Sequence, residues 1–166
     1  LMLSKTDLLE AILQECDICI HLYGKIPEGG LEYRPSSEQR NTLELLRYIS
    51  FCGLGFASAM IDGSWEGYSE IAGKAEMLEP DNFPAAMEEQ KKRLSEVFNN
   101  LSDEDFADKE ATLPWGNTVK LCRALLDISY RVLSGYRMQL FLYVKAAGNH
   151  DIGTPNCWAG ADAQME

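Results

Sequence analysis

The chain is short of positive charge. Fifteen Lys and Arg stand against 26 Asp and Glu in 166 residues, a formal net charge of −11. That field repels a phosphate backbone and argues against nucleic-acid partners. Uninterrupted apolar runs of about 18 residues, the length of a membrane span, are missing as well, so no membrane partner is expected. The first ten residues carry Lys5, Asp7 and Glu10 where a secretory leader would have a basic head and an apolar run. Leu1 is not an initiator Met, so sequence is expected to precede it. Cysteine is present only as an odd set, Cys16, Cys19, Cys52, Cys122 and Cys157, too sparse for a secreted disulfide framework. A reducing cytoplasm with mostly buried thiols is the expected setting. Period-two alternation, internal repeats and low-complexity tracts are all missing.

What is present is helical periodicity. Hydrophobic residues make up 46% and charged residues 25% of the chain, within the range of one folded domain over residues 1–166. Ser4, with Asp7 three residues on, opens a first helix whose apolar stripe runs through Leu9, Ile12, Leu13, Cys16, Cys19, Ile20 and Tyr23. Gly24 and Pro27 close it. Asn41 and Glu44 form a capping-box pair at the start of a second helix, through Leu45, Leu46, Ile49, Cys52, Phe56 and Met60. Gly53, Gly55, Ala57 and Ala59 narrow its second half, which suits close approach of another helix, in the same chain or in a second copy. Residues 61–80 read as a long loop with at most a short helical turn, pinned by Trp65 and Tyr68.

A third helix is expected from a cap at Asp81, with Pro84 in its first turn, to about Asn100. Its inner face is Met87, Lys91, Leu94, Val97, Phe98 and Leu101. Residues 102–117 read as a connection, with an acidic solvated turn at Asp103-Glu104-Asp105, an extended stretch from Ala111 and a turn at Trp115-Gly116-Asn117. The fourth helix is predicted from Thr118 to Ala147, on Leu121, Leu125, Ile128, Val132, Tyr136, Gln139, Leu140 and Tyr143. The remaining tail has no period, and Trp158 is expected to bury itself and anchor it.

Four amphipathic helices make the fold class all-α, a four-helix bundle. Two segments then carry a resemblance. Tyr33-Arg34-Pro35-Ser36, with Gln39 to Ile49, resembles the start of helix two in the DinB-like superfamily, which includes the YfiT-type proteins. Tyr136 to Gly148 is similar to the end of that family's last helix. The resemblance implies a bundle with a long crossover between helices 2 and 3, and a homodimer. Metal-binding relatives use three histidines, one in helix two and two spaced i, i+4 in the last helix. Matched residue by residue, Tyr48, Val132 and Tyr136 stand at those positions. Val has no donor, and a phenol with a pKa of about 10 is a poor ligand at neutral pH. No metal and no other cofactor is therefore expected.

The remaining candidates divide between chemistry and packing. Cys16-x-x-Cys19 has metal or redox spacing but lies on the apolar stripe, where a thiol behaves as a small hydrophobe. His21 and His150, the only histidines, read as structural or solvated. Asp127 and Arg131 read as a surface i, i+4 bridge. Tyr48 and Tyr136 either fill the old metal cavity with aromatic bulk or line a pocket with two phenols, joined by Arg47 or Arg137. The leading reading is a non-metal protein binding a small molecule or a partner. The alternatives are a thiol-dependent transferase or hydrolase, and a purely structural homodimer.

Overall fold

A computed structural model describes residues 3–164. Helix α1 (Lys5–Tyr23) starts at the expected cap: Ser4 Oγ accepts from the Asp7 amide at 3.0 Å, and the Asp7 carboxylate accepts from the Ser4 amide at 3.0 Å. Helix α2 (Thr42–Asp62) starts with the same box, built from Asn41 and Glu44. Each box satisfies amides that the first turn leaves without partners. The stripe of α1 is turned slightly from the expected one. Leu8, Glu15, Ile18 and Leu22 are buried with Ile12, Cys16 and Cys19, while Leu9, Leu13, Ile20 and Tyr23 flank the core half-buried.

Residues 61–80 are not the expected long loop. They hold a ten-residue helix, α3 (Glu66–Ala75), and a 3₁₀ turn, Pro80–Asn82. Tyr68, Ile71, Ala72 and Ala75 follow helical spacing, but three glycines and a low apolar content mask it. Helix α3 lies along α2, with Tyr68 against Phe51 and Phe56, and Trp65 against Phe56 and Tyr68.

Helix α4 (Phe83–Asn100) follows without the Asp81 cap; Pro84 stands in its first turn as expected. It buries Phe83, Met87, Gln90, Leu94 and Phe98. Gln90 is a polar staple the apolar pattern does not reveal. Its Nε2 donates to the Ile49 carbonyl at 2.9 Å and its Oε1 accepts from the Leu54 amide at 3.1 Å. The acidic turn is a short helix, α5 (Asp103–Asp108), capped by Ser102.

The chain also holds strand pairing that the sequence reading missed. Strands β1 (Glu110–Thr112) and β2 (Thr118–Lys120) form a small antiparallel hairpin, with Ala111 opposite Val119. Three-residue strands carry too few positions to show alternation. Thr118 to Lys120 therefore belong to the hairpin, and the last long helix begins at Leu121. It runs as α6 (Leu121–Ala124), a π-helical segment (Leu125–Tyr130) and α7 (Arg131–Ala146). A short helix, α8 (Thr154–Trp158), completes the tail.

The long helices pack in a ring. Helices α1 and α2 each lie against α4 on one side and against α7 with its π segment on the other. The glycines of α2 serve these contacts inside the chain. A Cβ on Gly53 would come within 2.5 Å of Leu133 Cδ1, and one on Gly55 within 2.9 Å of the Tyr68 ring. Ser129 Oγ, in the π segment, reaches the Gly53 carbonyl at 2.8 Å. The narrow half of α2 is thus occupied by its own chain, and any contact between two copies has to use other surfaces. Helix α2 is long and apolar enough to cross a membrane, but 72% of its apolar window is buried among the other helices.

Asp127 is not on the surface. It is buried, with Arg123 Nε at 2.6 Å and Arg131 Nη1 at 3.0 Å on its two carboxylate oxygens. Burial alone would raise its pKa; the hydrogen bonds from the two arginines outweigh that and hold it below the usual range. The tail docks on α1 and α7, but not by burying its indole. Ile152, Asn156 and Cys157 are buried while Trp158 is 57% exposed. An indole has a polar edge and a π face, and here the face is used differently.

Candidate functional site

The notable site lies between α2 and α3. The first turns of α2 present Glu44, Arg47, Tyr48 and Phe51 on one face, spaced i, i+3, i+4, i+7, and Arg40 precedes the helix cap on the same side. Helix α3 supplies Tyr68, Ala72 and Ala75, with Glu76 at its end. Together they enclose an open cleft of about 350 Å³. Its floor is a chain of aromatic edges. Tyr48 meets Phe51 and Phe51 meets Tyr68, each at 5.4 Å between ring centroids. Behind it, Tyr48 packs against Tyr136 of α7 at 4.8 Å with planes at 66°.

Arg40 covers this aromatic pair. Its Cζ lies 4.2 Å from the centre of the Tyr48 ring and 5.7 Å from that of Tyr136. The backbone of Arg40 is fixed: its carbonyl accepts from the Tyr143 hydroxyl of α7 at 2.8 Å, and the capping box begins at the next residue. Arg47 is tied by its Nε to the Leu78 carbonyl at 3.0 Å, which holds the end of the α3 segment against α2. Glu44 is engaged elsewhere, on the Asn41 amide at 2.7 Å and Arg34 Nη2 at 3.3 Å. Burial is the main cause that pushes the phenol pKa values of Tyr48 and Tyr68 up; a hydrogen bond between the two phenols adds to the shift at Tyr48 and opposes it at Tyr68, and both stay protonated.

The expected residues do not all meet here. Tyr48 and Arg47 line the cleft, and Tyr136 backs it. Val132, one turn before Tyr136, is half-buried against the core and is not part of the cleft wall. Arg137 is on another side of α7 altogether. It is 1% exposed, with Nε 2.8 Å from Glu15 Oε2 and Nη2 3.3 Å from Glu15 Oε1. The face of its guanidinium lies 4.3 Å from the centre of the Trp158 indole, and Nη1 donates to Cys157 Sγ at 3.3 Å. Burial alone would lower the Arg137 pKa; hydrogen bonding and charge from Glu15 more than reverse it. This arginine holds the tail to α1 and takes no part in the cleft.

Most of the cleft wall escaped the sequence reading, which had only Arg47 and Tyr48 of it as site candidates. Tyr68 fell in the segment read as a loop. Arg40 was passed over, although Arg40, Glu44 and Arg47 recur at helical spacing from the Asn41 cap.

The same overall arrangement occurs in the crystal structure of a DinB-like protein, YjoA, from Bacillus subtilis. The two align with a TM-score of 0.68 over 89% of this chain and 96% of that one, at 19% sequence identity. The fold is DinB-like. No family profile and no curated protein matches the sequence itself. Among the described residues no group of three or more His, Cys, Asp or Glu side chains is placed to hold a metal ion. Where Tyr48 packs against Tyr136, the groups at hand are two phenols and the Arg40 guanidinium, a poor donor set for a metal ion.

The thiols are unsuited to nucleophilic work at this site. Burial is the main cause that raises the pKa of Cys16, Cys19 and Cys52, the last to about 12. A thiolate, the reactive form, is thereby suppressed. Of the histidines, His21 Nε2 is 3.0 Å from Asn156 Nδ2 and 3.8 Å from Asp162 Oδ1, where it ties the tail to α1. His150 is exposed beyond the end of α7.

Proposed function

We propose that this protein is a DinB-fold binder of a small molecule, working without a metal, with the cleft between α2 and α3 as its site. The observation that carries the reading is the Arg40–Tyr48–Tyr136 stack. It puts a fixed cation and two phenols beside a cleft of the size small ligands use, about 300–1,000 Å³. An aromatic floor with a few placed polar groups gives a ligand both apolar contact and orientation. The buried thiols weigh against the thiol-dependent enzyme. All five cysteines are free, and four of them are buried, which suits a reducing compartment, the cytoplasm.

The test is a fragment screen read by amide chemical shifts on the full chain. Binders are expected to move Tyr48, Phe51, Tyr68 and Ala72 together. Binders that consistently map to other surfaces, or no binder at millimolar concentration, would overturn the reading.

A further inference from the structure

We infer that the cleft recognises a small monocarboxylate, whose carboxylate pairs with Arg40 and whose flat apolar part lies on the aromatic floor. This rests on the cleft being the binding site. The molecule contains its own precedent for the missing half of the contact. At Arg137 a guanidinium has its Cζ over an aromatic ring, Trp158, and gives its N–H groups to a carboxylate, Glu15. Arg40 likewise has its Cζ over a ring, that of Tyr48, at nearly the same distance. Its edge has no hydrogen bond or ion pair among the described residues. A stacked guanidinium keeps its in-plane donors free, and those donors match a carboxylate in fork geometry.

The neighbouring charges set the number of negative charges the ligand carries. Glu44, which shares the cleft wall with Arg40, is held by its own helix cap and by Arg34, and among the described residues neither it nor Glu38, two residues before Arg40, is ion-paired with Arg40. Arg47 has its Nε on Leu78, and its terminal nitrogens, without a hydrogen bond among the described residues, can add a second contact. Glu76, also in the cleft wall, and the net charge of −11 both oppose a polyanion. One carboxylate on a mostly apolar body satisfies these conditions, whereas a nucleotide or an oligophosphate does not. The protonated phenol of Tyr68, in the cleft wall, can donate to the same head group.

Benzoate is a suitable probe and benzamide its neutral isostere, both titrated into the full chain and followed by amide shifts. Benzoate is expected to move Tyr48, Tyr68 and Ala72 and to bind at least about tenfold more tightly than benzamide, the range of a charge-assisted hydrogen bond. Arg40→Gln should remove that preference while leaving the fold intact, since Arg40 is exposed; Arg40→Lys should keep only part of it, because a point charge lacks the fork. Equal binding of the two probes in the cleft, or a preference that survives Arg40→Gln, would overturn the carboxylate assignment and leave the cleft as a binding site. Failure of both probes and of neutral fragments to move any cleft residue would overturn the site itself.

Discussion

Arg137 and Arg40 each lie over an aromatic ring, at 4.3 Å and 4.2 Å, yet they are opposite in consequence. Arg137 is sealed between α1, α7 and the tail, with Glu15 on its edge and Trp158 on its face. Arg40 is exposed at the mouth of a cleft with its edge free. The difference teaches that stacking alone says little about role. A guanidinium taken out of water must find its carboxylate within the chain, or the fold carries an uncompensated charge. One left at the surface stays hydrated at little cost, and that vacancy is what a ligand can fill.

The sealed side is where a substitution should do most damage. Glu15→Ala leaves Arg137 buried without its counter-ion, and a loss of about 3–5 kcal/mol in denaturant unfolding is expected. Replacing both Glu15 and Arg137 by Met should recover much of that loss, because the pair is costly to desolvate. A single mutant no less stable than the double would break the contrast between the two arginines.

Next in size is Trp158→Ala, which strips the ring from Arg137 but leaves Glu15 in place. Because the indole is more than half exposed, the expected loss is smaller, about 1–2 kcal/mol, the strength of a partly desolvated cation–π contact. Thermal unfolding of the full chain measures it. A loss as large as that of Glu15→Ala would mean the indole, and not the carboxylate, holds the tail.

The smallest effect belongs to the open side. Arg40→Gln should change stability by only about 0.5–1 kcal/mol, as for exposed cation–π pairs. The same thermal scan checks it. A loss comparable to the Glu15 variant would show that Arg40 is a structural residue and that the two sites are alike.

The starts of α1 and α2 were legible because their signals are local. Ser4 with Asp7, and Asn41 with Glu44, lie within one turn of each other, and the caps form as read. The inner face of α2 follows from its period, and that of α4 at Met87, Leu94 and Phe98, but Gln90 is buried where Lys91 was expected and Lys91 pairs with Asp17 and Glu88. Helix α3 was hidden because its glycines and sparse apolar residues weaken that period, and the hairpin because its strands are too short to alternate. In the cleft, Tyr48 and Arg47 were legible from their helix, whereas Tyr68 was lost with α3. Trp158 was read as a buried anchor because a Trp near Pro and Cys suggests packing. The tail instead buries Ile152, Asn156 and Cys157 and sets the indole across a charge.

From the sequence alone came a mainly helical chain, the capped starts of α1 and α2, and a strong excess of acidic residues. Those properties depend on residue type and on neighbours three or four positions away. Which arginine is sealed and which is open was decided only in three dimensions. Glu15 and Arg137 are 122 residues apart, and Arg40 reaches Tyr136 across the junction of α2 and α7. Ion pairing and stacking depend on distances of a few ångströms, and the packing of α1, α2 and α7 sets those distances.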